Sequence, residues 1–294
     1  DNYVCFGDDC GDENNLYRII GVFGSEEKLI KNTNIGNYAW DSGGSNTWNS
    51  STKPDIRNTL NTTFLNTLSS TWQNKIASHT WYVGGNSVVN VTPKTFYNVE
   101  VGSSSSSTTD SMKIGLMYVS DYGFAASPDY WTTSMISYSN ASSSNWMNME
   151  LYEWTISRNS MDPFNVFKVD SAGGVDNAGG RVSDTNAVRP SFYLQPWVLY
   201  SSGDGTQENP FRISAPENLI SFSIESTTYY AEDGMTWGEW VVSNYNIDGF
   251  YISENSTICS DTSNGSGCLN KVSANQTIIK DRTYSGTHQG GGIS

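Results

Sequence analysis

The chain has 294 residues, of which 16% are charged and 13% are aromatic, and its formal net charge is -14. This aromatic content excludes an intrinsically disordered chain. The negative charge disfavours binding to nucleic acids or to anionic membranes, because like charges repel and the sequence contains no basic patch.

The uncharged polar residues indicate a secreted or surface-exposed protein. Ser, Thr, Asn and Gly carry most of the polarity, and with Tyr they are typical of β-rich extracellular folds and of binding surfaces. No apolar run is long enough to cross a bilayer, and the sequence starts at Asp1 rather than Met. We therefore expect a processed or excised ectodomain with no direct membrane insertion, whose anchor would lie outside it.

The first half of the chain is predicted to combine strands with one helical stretch. Residues 17–20 and 28–31 alternate like the two strands of a β-hairpin. Residues 54–77 carry an apolar side chain at every fourth position, which predicts one amphipathic helix or two helices joined near Ser69. These positions are Ile56, Leu60, Phe64, Leu68, Trp72 and Ile76.

Two further strands are predicted before the middle of the chain. Residues 81–83 predict a short strand that ends at a Gly-Gly pair. Residues 112–119 predict a buried strand with Ile114, Leu116 and Tyr118 on one face.

Two apolar segments bracket a polar stretch in the middle of the chain. Residues 153–158 and 187–194 predict buried strands, with Trp154 and Val188 in the core. Residues 159–186, between them, are rich in Asn, Asp, Ser and Gly. A rigid frame around an adaptable insert is the arrangement that a recognition surface needs.

Motifs in and after this frame carry a family resemblance. W-T-I-x-R lies at residues 154–158, V-R-P-x-F-x-L at 188–194 and S-G-x-G-T-Q-x-N-P-[FY] at 202–211. Together with matches at residues 16–23, 28–30, 36–41 and 113–122, they resemble an uncharacterised domain family of gut bacteria and their phages. That family is similar to the C-type-lectin-like fold of formylglycine-generating enzymes and of variable proteins diversified by retroelements. The resemblance implies an α+β, C-type-lectin-like mixed domain at residues 1–213.

A small accessory domain is predicted at residues 219–294, after a linker at 214–218. Residues 219–231 predict a β-hairpin, residues 235–241 a short helix and residues 249–252 a strand of a further hairpin. The order hairpin, helix, hairpin makes this a second α+β unit. It resembles modules attached to surface and phage proteins of gut bacteria, which implies no particular chemistry.

The four cysteines form two close pairs, Cys5 with Cys10 and Cys259 with Cys268. This spacing predicts two local disulfides made in an oxidising compartment. Free or metal-bound thiols remain the alternative.

Patterns for nucleophilic catalysis are weak. A serine or cysteine nucleophile needs a histidine beside it, and neither His79 nor His288 has a motif partner. The chemistry of formylglycine-generating enzymes uses a cysteine pair late in the fold, whereas Cys5 and Cys10 are at its start. A shared fold therefore does not imply a shared activity.

A pair of carboxylates leaves a glycoside hydrolase open as an alternative. Glu150 and Glu153 lie near Trp146 and Trp154 in sequence, and acids beside aromatic rings are common in sugar-cleaving clefts. The favoured interpretation makes both acids surface residues at the start of a strand, with the tryptophans in the core. We therefore predict no enzyme activity and no cofactor.

Two other polar features are given structural roles. Arg189, in a predicted core strand, needs carbonyls or a carboxylate around its guanidinium, and ligand contact is the alternative. The acidic residues at 8–9 and 12–13 match no calcium loop, so they predict a solvated turn and no metal site.

The sequence as a whole predicts an extracellular, cell-surface or phage-borne binding or adhesion protein. Its partner is predicted to be a protein or glycan on a cell surface, contacted by side chains between residues 145 and 186. The expected ligand-binding residues are Trp146, Arg158, Asn159, Asp162, Phe164, Asn165, Asp176, Asn177 and Asp184. The structural alternative is a filament or pilus subunit whose copies associate through Gly-rich ends such as residues 290–294.

Overall fold

The computed structural model describes residues 2–88, 90–176, 180–215, 218–224, 227–243, 251–252, 257–259, 268–273, 275–284 and 286–287. The chain divides into two compact units. The first comprises Asp1–Gly21, Glu27–Leu194 and Ser202–Arg212, and the second comprises Val22–Glu26, Gln195–Ser201 and Ile213–Ser294.

Strands outnumber helices in the described part of the chain, which gives a mixed α+β architecture. The strands are β1 (Tyr3–Cys5), β2 (Leu16–Phe23), β3 (Glu26–Lys31), β4 (Asn37–Ala39), β5 (His79–Tyr82), β6 (Gly85–Asn86), β7 (Thr109–Met112), β8 (Ile114–Gly115), β9 (Glu153–Asn159), β10 (Val166–Val169), β11 (Val175–Asp176), β12 (Thr185–Ala187), β13 (Ser191–Tyr193), β14 (Leu199–Ser202), β15 (Phe211–Ser214), β16 (Leu219–Ile224), β17 (Thr227–Glu232), β18 (Tyr251–Ile252), β19 (Thr257–Cys259), β20 (Cys268–Ser273), β21 (Thr283–Tyr284) and β22 (Gly286–Thr287). The α-helices are α1 (Asp55–Asn58), α2 (Ser70–Gln73), α3 (Pro93–Glu100), α4 (Val119–Phe124) and α5 (Trp237–Ser243). Short 3-10 helices cover Glu13–Asn15, Leu65–Thr67, Pro128–Tyr130 and Met135–Ser144, and Thr59–Phe64 is π-helical.

One sheet of the first unit contains the predicted N-terminal hairpin. Its strand order includes β15-β1-β2-β3-β13-β8, with β1 antiparallel to β2 and parallel to β15. The hairpin of β2 and β3 is confirmed. Phe6 and Phe192 bring their ring centroids to 4.8 Å, and Tyr17 lies 5.3 Å from Phe192. Aromatic burial therefore stabilises this sheet.

A second sheet carries the polar stretch of the sequence. Its order is β11-β10-β9-β12-β4, and β6 pairs with β9. Trp154 and Val188 are fully buried, and the Trp154 indole donates to the Tyr38 carbonyl at 2.8 Å. The Trp40 indole donates to the Thr155 carbonyl at 3.2 Å. Each indole thus buries a large apolar area while its single donor is satisfied.

The helical stretch predicted between residues 54 and 77 is confirmed as two pieces. The first begins with α1 and continues through the π-helical and 3-10 turns to Thr67, and the second is α2. Five of the six predicted positions are buried, namely Ile56, Leu60, Phe64, Trp72 and Ile76. Leu68, between the two pieces, is half-buried, and Ile76 lies beyond the end of α2.

The strand predicted over residues 112–119 is wrong. β7 ends at Met112, β8 has two residues, and α4 begins at Val119. Acidic side chains satisfy the first amides of this helix. Asp121 Oδ2 accepts the Tyr118 N–H at 2.7 Å, while Glu100 accepts those of Val119 and Ser120 at 2.9 and 3.0 Å. These bonds stabilise a helix start that the local apolar pattern does not reveal.

Asp121 also forms one of the buried ion pairs of the first unit. Lys28 Nζ lies 2.6 Å from Asp121 Oδ2 and 4.4 Å from the centre of the Tyr118 ring. Burial lowers the pKa of Lys28, and the Asp121 carboxylate opposes that shift. The pair ties β3 to the start of α4.

Glu100 is buried at the end of α3 and links it to α4 and β9. In addition to the two backbone amides, it accepts a hydrogen bond from the Ser157 hydroxyl. Burial raises the pKa of Glu100 to about 7, although the bonds from Ser120 and Ser157 act in the opposite direction.

The stability of the fold should therefore depend on the protonation of Glu100. A carboxyl with a higher pKa in the folded state binds its proton more tightly there, so its stabilising contribution is complete below its ordinary pKa of 4.5 and is lost as the pH rises through about 7. We compare the free energy of unfolding of the parent with that of Glu100→Gln. The parent's value minus the variant's value should fall by roughly 2 kcal/mol as the pH rises from about 5 to about 8. Urea denaturation measures both values, and a difference that stays constant with pH would contradict the raised pKa.

The second unit contains a hairpin and a helix where the sequence predicts them. β16 and β17 pair antiparallel from Leu219 opposite Glu232 to Ile224 opposite Thr227, and β21 pairs parallel to β16. Trp237 and Trp240 of α5 are buried, with their ring centroids 5.1 and 5.2 Å from that of Phe222. An aromatic core therefore joins the hairpin to the helix. The predicted strand at 249–252 is present as β18 over its last two residues, and the first two lie outside the described residues.

Candidate ligand-binding surface

A single buried side chain holds the turn that follows β9. The Asn46 amide nitrogen lies 2.8 Å from the Asn159 carbonyl, 3.0 Å from that of Asp162 and 2.6 Å from that of Asn165. The Asn46 backbone N–H also donates to the Pro163 carbonyl at 2.7 Å. Asn46 is 5% exposed and its contact with the Asn165 carbonyl is buried, so that bond forms with little competition from water.

Polar side chains within the turn fix the rest of its backbone. Asn159 Oδ1 accepts the Met161 N–H at 2.9 Å, and Asp162 Oδ1 accepts the Phe164 N–H at 2.9 Å. The two residues whose amides are bound in this way have exposed side chains, with exposed fractions of 79% for Met161 and 55% for Phe164. An apolar pair is thus presented to solvent on a backbone with little freedom left to lose on binding.

Two neighbouring turns extend this surface. The Val182 N–H donates to the Phe164 carbonyl at 2.9 Å, and the Asp41 N–H donates to the Val182 carbonyl at 2.9 Å. Arg181 and Asp184 are exposed in the turn on either side of Val182. We refer to residues 41–46, 159–165 and 181–184 together as the turn surface.

The expectation of an adaptable insert between the strands is wrong for much of its length. All four residues of β10 are buried, and β10 lies between β9 and β11 in the sheet. Asn165, expected to be exposed, is 7% exposed, and its amide donates to Asp162 Oδ2 at 2.6 Å. The apolar run at residues 166–169 extends the sheet, so the exposed side chains in the described part of the insert lie outside this run, at residues 160–161, 163–164, 171–172, 181 and 183–185.

Arg158 stabilises the backbone next to the turn surface through two hydrogen bonds. Its Nε donates to the Val83 carbonyl at 2.6 Å, and its Nη1 donates to the Asn46 carbonyl at 2.9 Å. Burial lowers the pKa of Arg158. The guanidinium therefore binds protein carbonyls and acts as a brace between β9 and the loop that carries Asn46.

The other predicted ligand-binding residues that the structure describes either belong to the turn surface or lie elsewhere in the first unit. Asn159, Asp162, Phe164, Asn165 and Asp184 all belong to the turn surface. Trp146 is half-buried under Arg18, whose guanidinium lies 4.3 Å from the ring centre, and Asp176 faces Lys168 across β10 and β11. Asn177 lies outside the described residues.

Glu153 belongs to the core, so its interpretation as a surface residue is wrong. It is 1% exposed and forms a two-point ion pair with Arg189, with Nε to Oε1 at 2.6 Å and Nη2 to Oε2 at 2.8 Å. Nη2 also donates to the Met147 carbonyl at 2.7 Å. Burial raises the pKa of Glu153, and the Arg189 charge opposes this. Glu150 is exposed, with φ of 56°.

The first cysteine pair forms the predicted disulfide. The sulfurs of Cys5 and Cys10 are bonded, and their Cα atoms are 5.4 Å apart. Cys259 and Cys268 lie opposite each other in the antiparallel pair of β19 and β20, but their side chains are outside the described part.

The acidic residues near this disulfide have protein partners. Asp8 accepts the Trp72 indole N–H at 2.9 Å, while Asp9 and Asp12 accept the backbone amides of Gly11 and Asn14. Among the described residues, no group of three or more His, Cys, Asp or Glu side chains could hold a metal ion.

His79 stacks on a core aromatic residue. Its ring lies 3.7 Å from that of Tyr193, centroid to centroid, at the start of β5. His288 lies outside the described residues.

No family model, curated protein or solved structure matches this chain. In the described residues, no helix has the length and apolar character needed to cross a membrane.

Proposed function

We propose that this protein is an extracellular, cell-surface or phage-borne binding protein that uses the turn surface to contact its partner. The resemblance of the motifs at residues 154–158, 188–194 and 202–211 supports a C-type-lectin-like scaffold for the first unit. The mixed sheets with few helices are compatible with such a scaffold.

The main support for the proposal is that Asn46 anchors the turn on which two exposed apolar residues lie. Flexible loops lose conformational entropy on binding, whereas a turn fixed by buried hydrogen bonds loses little. Met161 and Phe164 therefore have the exposure and the rigid support of residues that dominate binding energy in interfaces. A structural role alone would not require these two side chains to face water.

The charges of the turn surface restrict the partner. Asp41, Asp162 and Asp184 outnumber Arg181, and the whole chain has a net charge of -14. A protein or glycan without strong negative charge is therefore the proposed partner on a cell surface, and nucleic acid is disfavoured.

The buried position of Glu153 weighs against the glycoside hydrolase alternative. A catalytic carboxyl must reach the glycosidic bond, whereas Glu153 is enclosed with Arg189. We propose that the protein has no enzymatic activity. The Gly-rich end at 290–294, on which the filament alternative depends, lies outside the described residues.

One comparison separates binding from filament formation. Fluorescently labelled protein is incubated with intact gut bacterial cells and with a glycan array, and the same preparation is viewed by negative-stain electron microscopy. We expect saturable binding by separate particles. Ordered polymers together with no binding to cells or glycans would overturn the proposal in favour of a filament subunit.

A further inference from the structure

A cavity of about 480 Å³ lies in the first unit, apart from the residues of the turn surface. Tyr17 of β2 and Lys31 of β3 line it together with the loop at residues 12–15. The helical stretch from Thr59 to Leu68 supplies another part of the lining. Its volume is within the range of small-molecule sites in proteins.

Two buried polar groups in this cavity have unused hydrogen-bonding capacity. Lys31 is 4% exposed, and among the described residues its ammonium donates only to Thr33 Oγ1, at 3.0 Å. Tyr17 is 1% exposed, and its hydroxyl makes no hydrogen bond within the described part of the chain, although it is not among the fully enclosed polar atoms that lack a partner. Both residues line the cavity, so these groups are placed to bind the acceptor oxygens of a ligand.

Uncharged polar groups and apolar carbons make up most of the remaining lining. Thr59, Thr63 and Thr67 follow one another at four-residue intervals, and the Thr63 hydroxyl has no partner within the described structure. Phe64 and Leu68 add apolar surface beside them. Hydroxyl groups next to apolar carbons suit a ligand with the same mixture, such as a sugar ring.

The charged side chains that line the cavity disfavour a charged ligand. Lys31 is its cation and Asp12 its anion, and the Asp12 carboxylate opposes the lowering of the Lys31 pKa by burial. An anionic ligand would meet Asp12 and the overall charge of -14, whereas a cationic ligand would meet the buried ammonium.

We propose that this cavity binds an uncharged, hydroxyl-rich ligand the size of a mono- or disaccharide. Acceptor oxygens of the ligand bind the Lys31 ammonium and the Tyr17 hydroxyl, and the Thr63 hydroxyl binds a further oxygen. The proposal does not depend on the turn surface, which shares no residue with the cavity lining.

Saturation-transfer NMR of the full chain tests this site with D-glucose, D-galactose and N-acetyl-D-glucosamine, and with D-glucuronate as the anionic probe. Thr63→Val removes a hydroxyl from the cavity, and Thr62→Val is its matched control, because Thr62 is exposed on the same helix but does not line the cavity. Lys31→Met removes the buried ammonium. Melting curves establish that each variant is folded.

We expect a neutral sugar to bind the parent and Thr62→Val equally, and Thr63→Val about fivefold more weakly, as for one lost hydrogen bond. Lys31→Met should weaken binding further. Absence of binding by all three neutral sugars, equal affinity of Thr63→Val and Thr62→Val, or a preference for D-glucuronate would each overturn the proposal.

Discussion

Replacing Arg189 with methionine should lower the free energy of unfolding by about 3 to 5 kcal/mol, because the change leaves a buried carboxylate without its partner. Glu153 is 1% exposed, and both of its oxygens accept hydrogen bonds from Arg189. Methionine fills much of the volume of the arginine side chain but donates no hydrogen bond. Urea denaturation at about pH 8 measures the loss, which should be smaller at about pH 5, where the carboxyl can take up a proton.

Two controls isolate this ion pair. Arg181→Met changes an exposed arginine and should alter stability by less than about 0.5 kcal/mol. The double variant Glu153→Met/Arg189→Met should be more stable than Arg189→Met alone, because no unpaired charge is left in the core. Equal losses for Arg189→Met and Arg181→Met would contradict the role assigned to the pair.

Replacing Trp154 with alanine should cost about 3 to 5 kcal/mol, as large-to-small changes in a core do. The side chain is fully buried, and its indole also donates to the Tyr38 carbonyl, at 2.8 Å. Alanine would leave a cavity within the second sheet and an unpaired carbonyl on β4. Thermal and chemical unfolding should both show the loss.

Phe164→Ala is the matched control for this aromatic substitution. Phe164 is 55% exposed on the turn surface, so its truncation should change stability by about 0.5 kcal/mol or less. Comparing the two variants distinguishes residues that stabilise the buried strands from residues that only face solvent. A larger loss for Phe164→Ala than for Trp154→Ala would show that the frame has been assigned to the wrong residues.

Periodic patterns in the sequence predicted the elements whose stability comes from one buried face. The helical stretch with Ile56, Leu60 and Phe64 and the hairpin of β16 and β17 have regular spacing, and both form where the spacing places them. Local periodicity is sufficient in such cases, because the side chains that decide the structure lie within the element itself.

The start of α4 could not be predicted in this way, because its partners are distant in sequence. Glu100 lies about twenty residues before the amides that it accepts, and Lys28 lies 93 residues from Asp121. The alternation of Ile114, Leu116 and Tyr118 favoured a strand, but the residues between them are buried as well, so the alternation does not mark one buried face. Tertiary contacts therefore decided the structure there.

The turn surface shows the same limit. Asn159, Asp162 and Phe164 were identified as candidates from composition, but Asn46, which holds them, was not. An asparagine after a Gly-Gly turn is unremarkable in sequence, and its role appears only when a turn 113 residues later comes within reach of its amide. The Asn165 carbonyl also accepts a hydrogen bond from the Asn46 amide, at 2.6 Å.

The most direct test of the account is the binding of a Met161→Ala/Phe164→Ala variant to the cells or glycans that the parent binds. The matched control is Tyr97→Ala/Ile136→Ala, which removes two exposed apolar side chains of the same unit, with exposed fractions of 40% and 52%, outside the turn surface. We predict that the first variant melts like the parent and binds at least about thirtyfold more weakly, as for the loss of an interface hot spot, while the control binds normally. Undiminished binding by the folded Met161→Ala/Phe164→Ala variant would contradict the account.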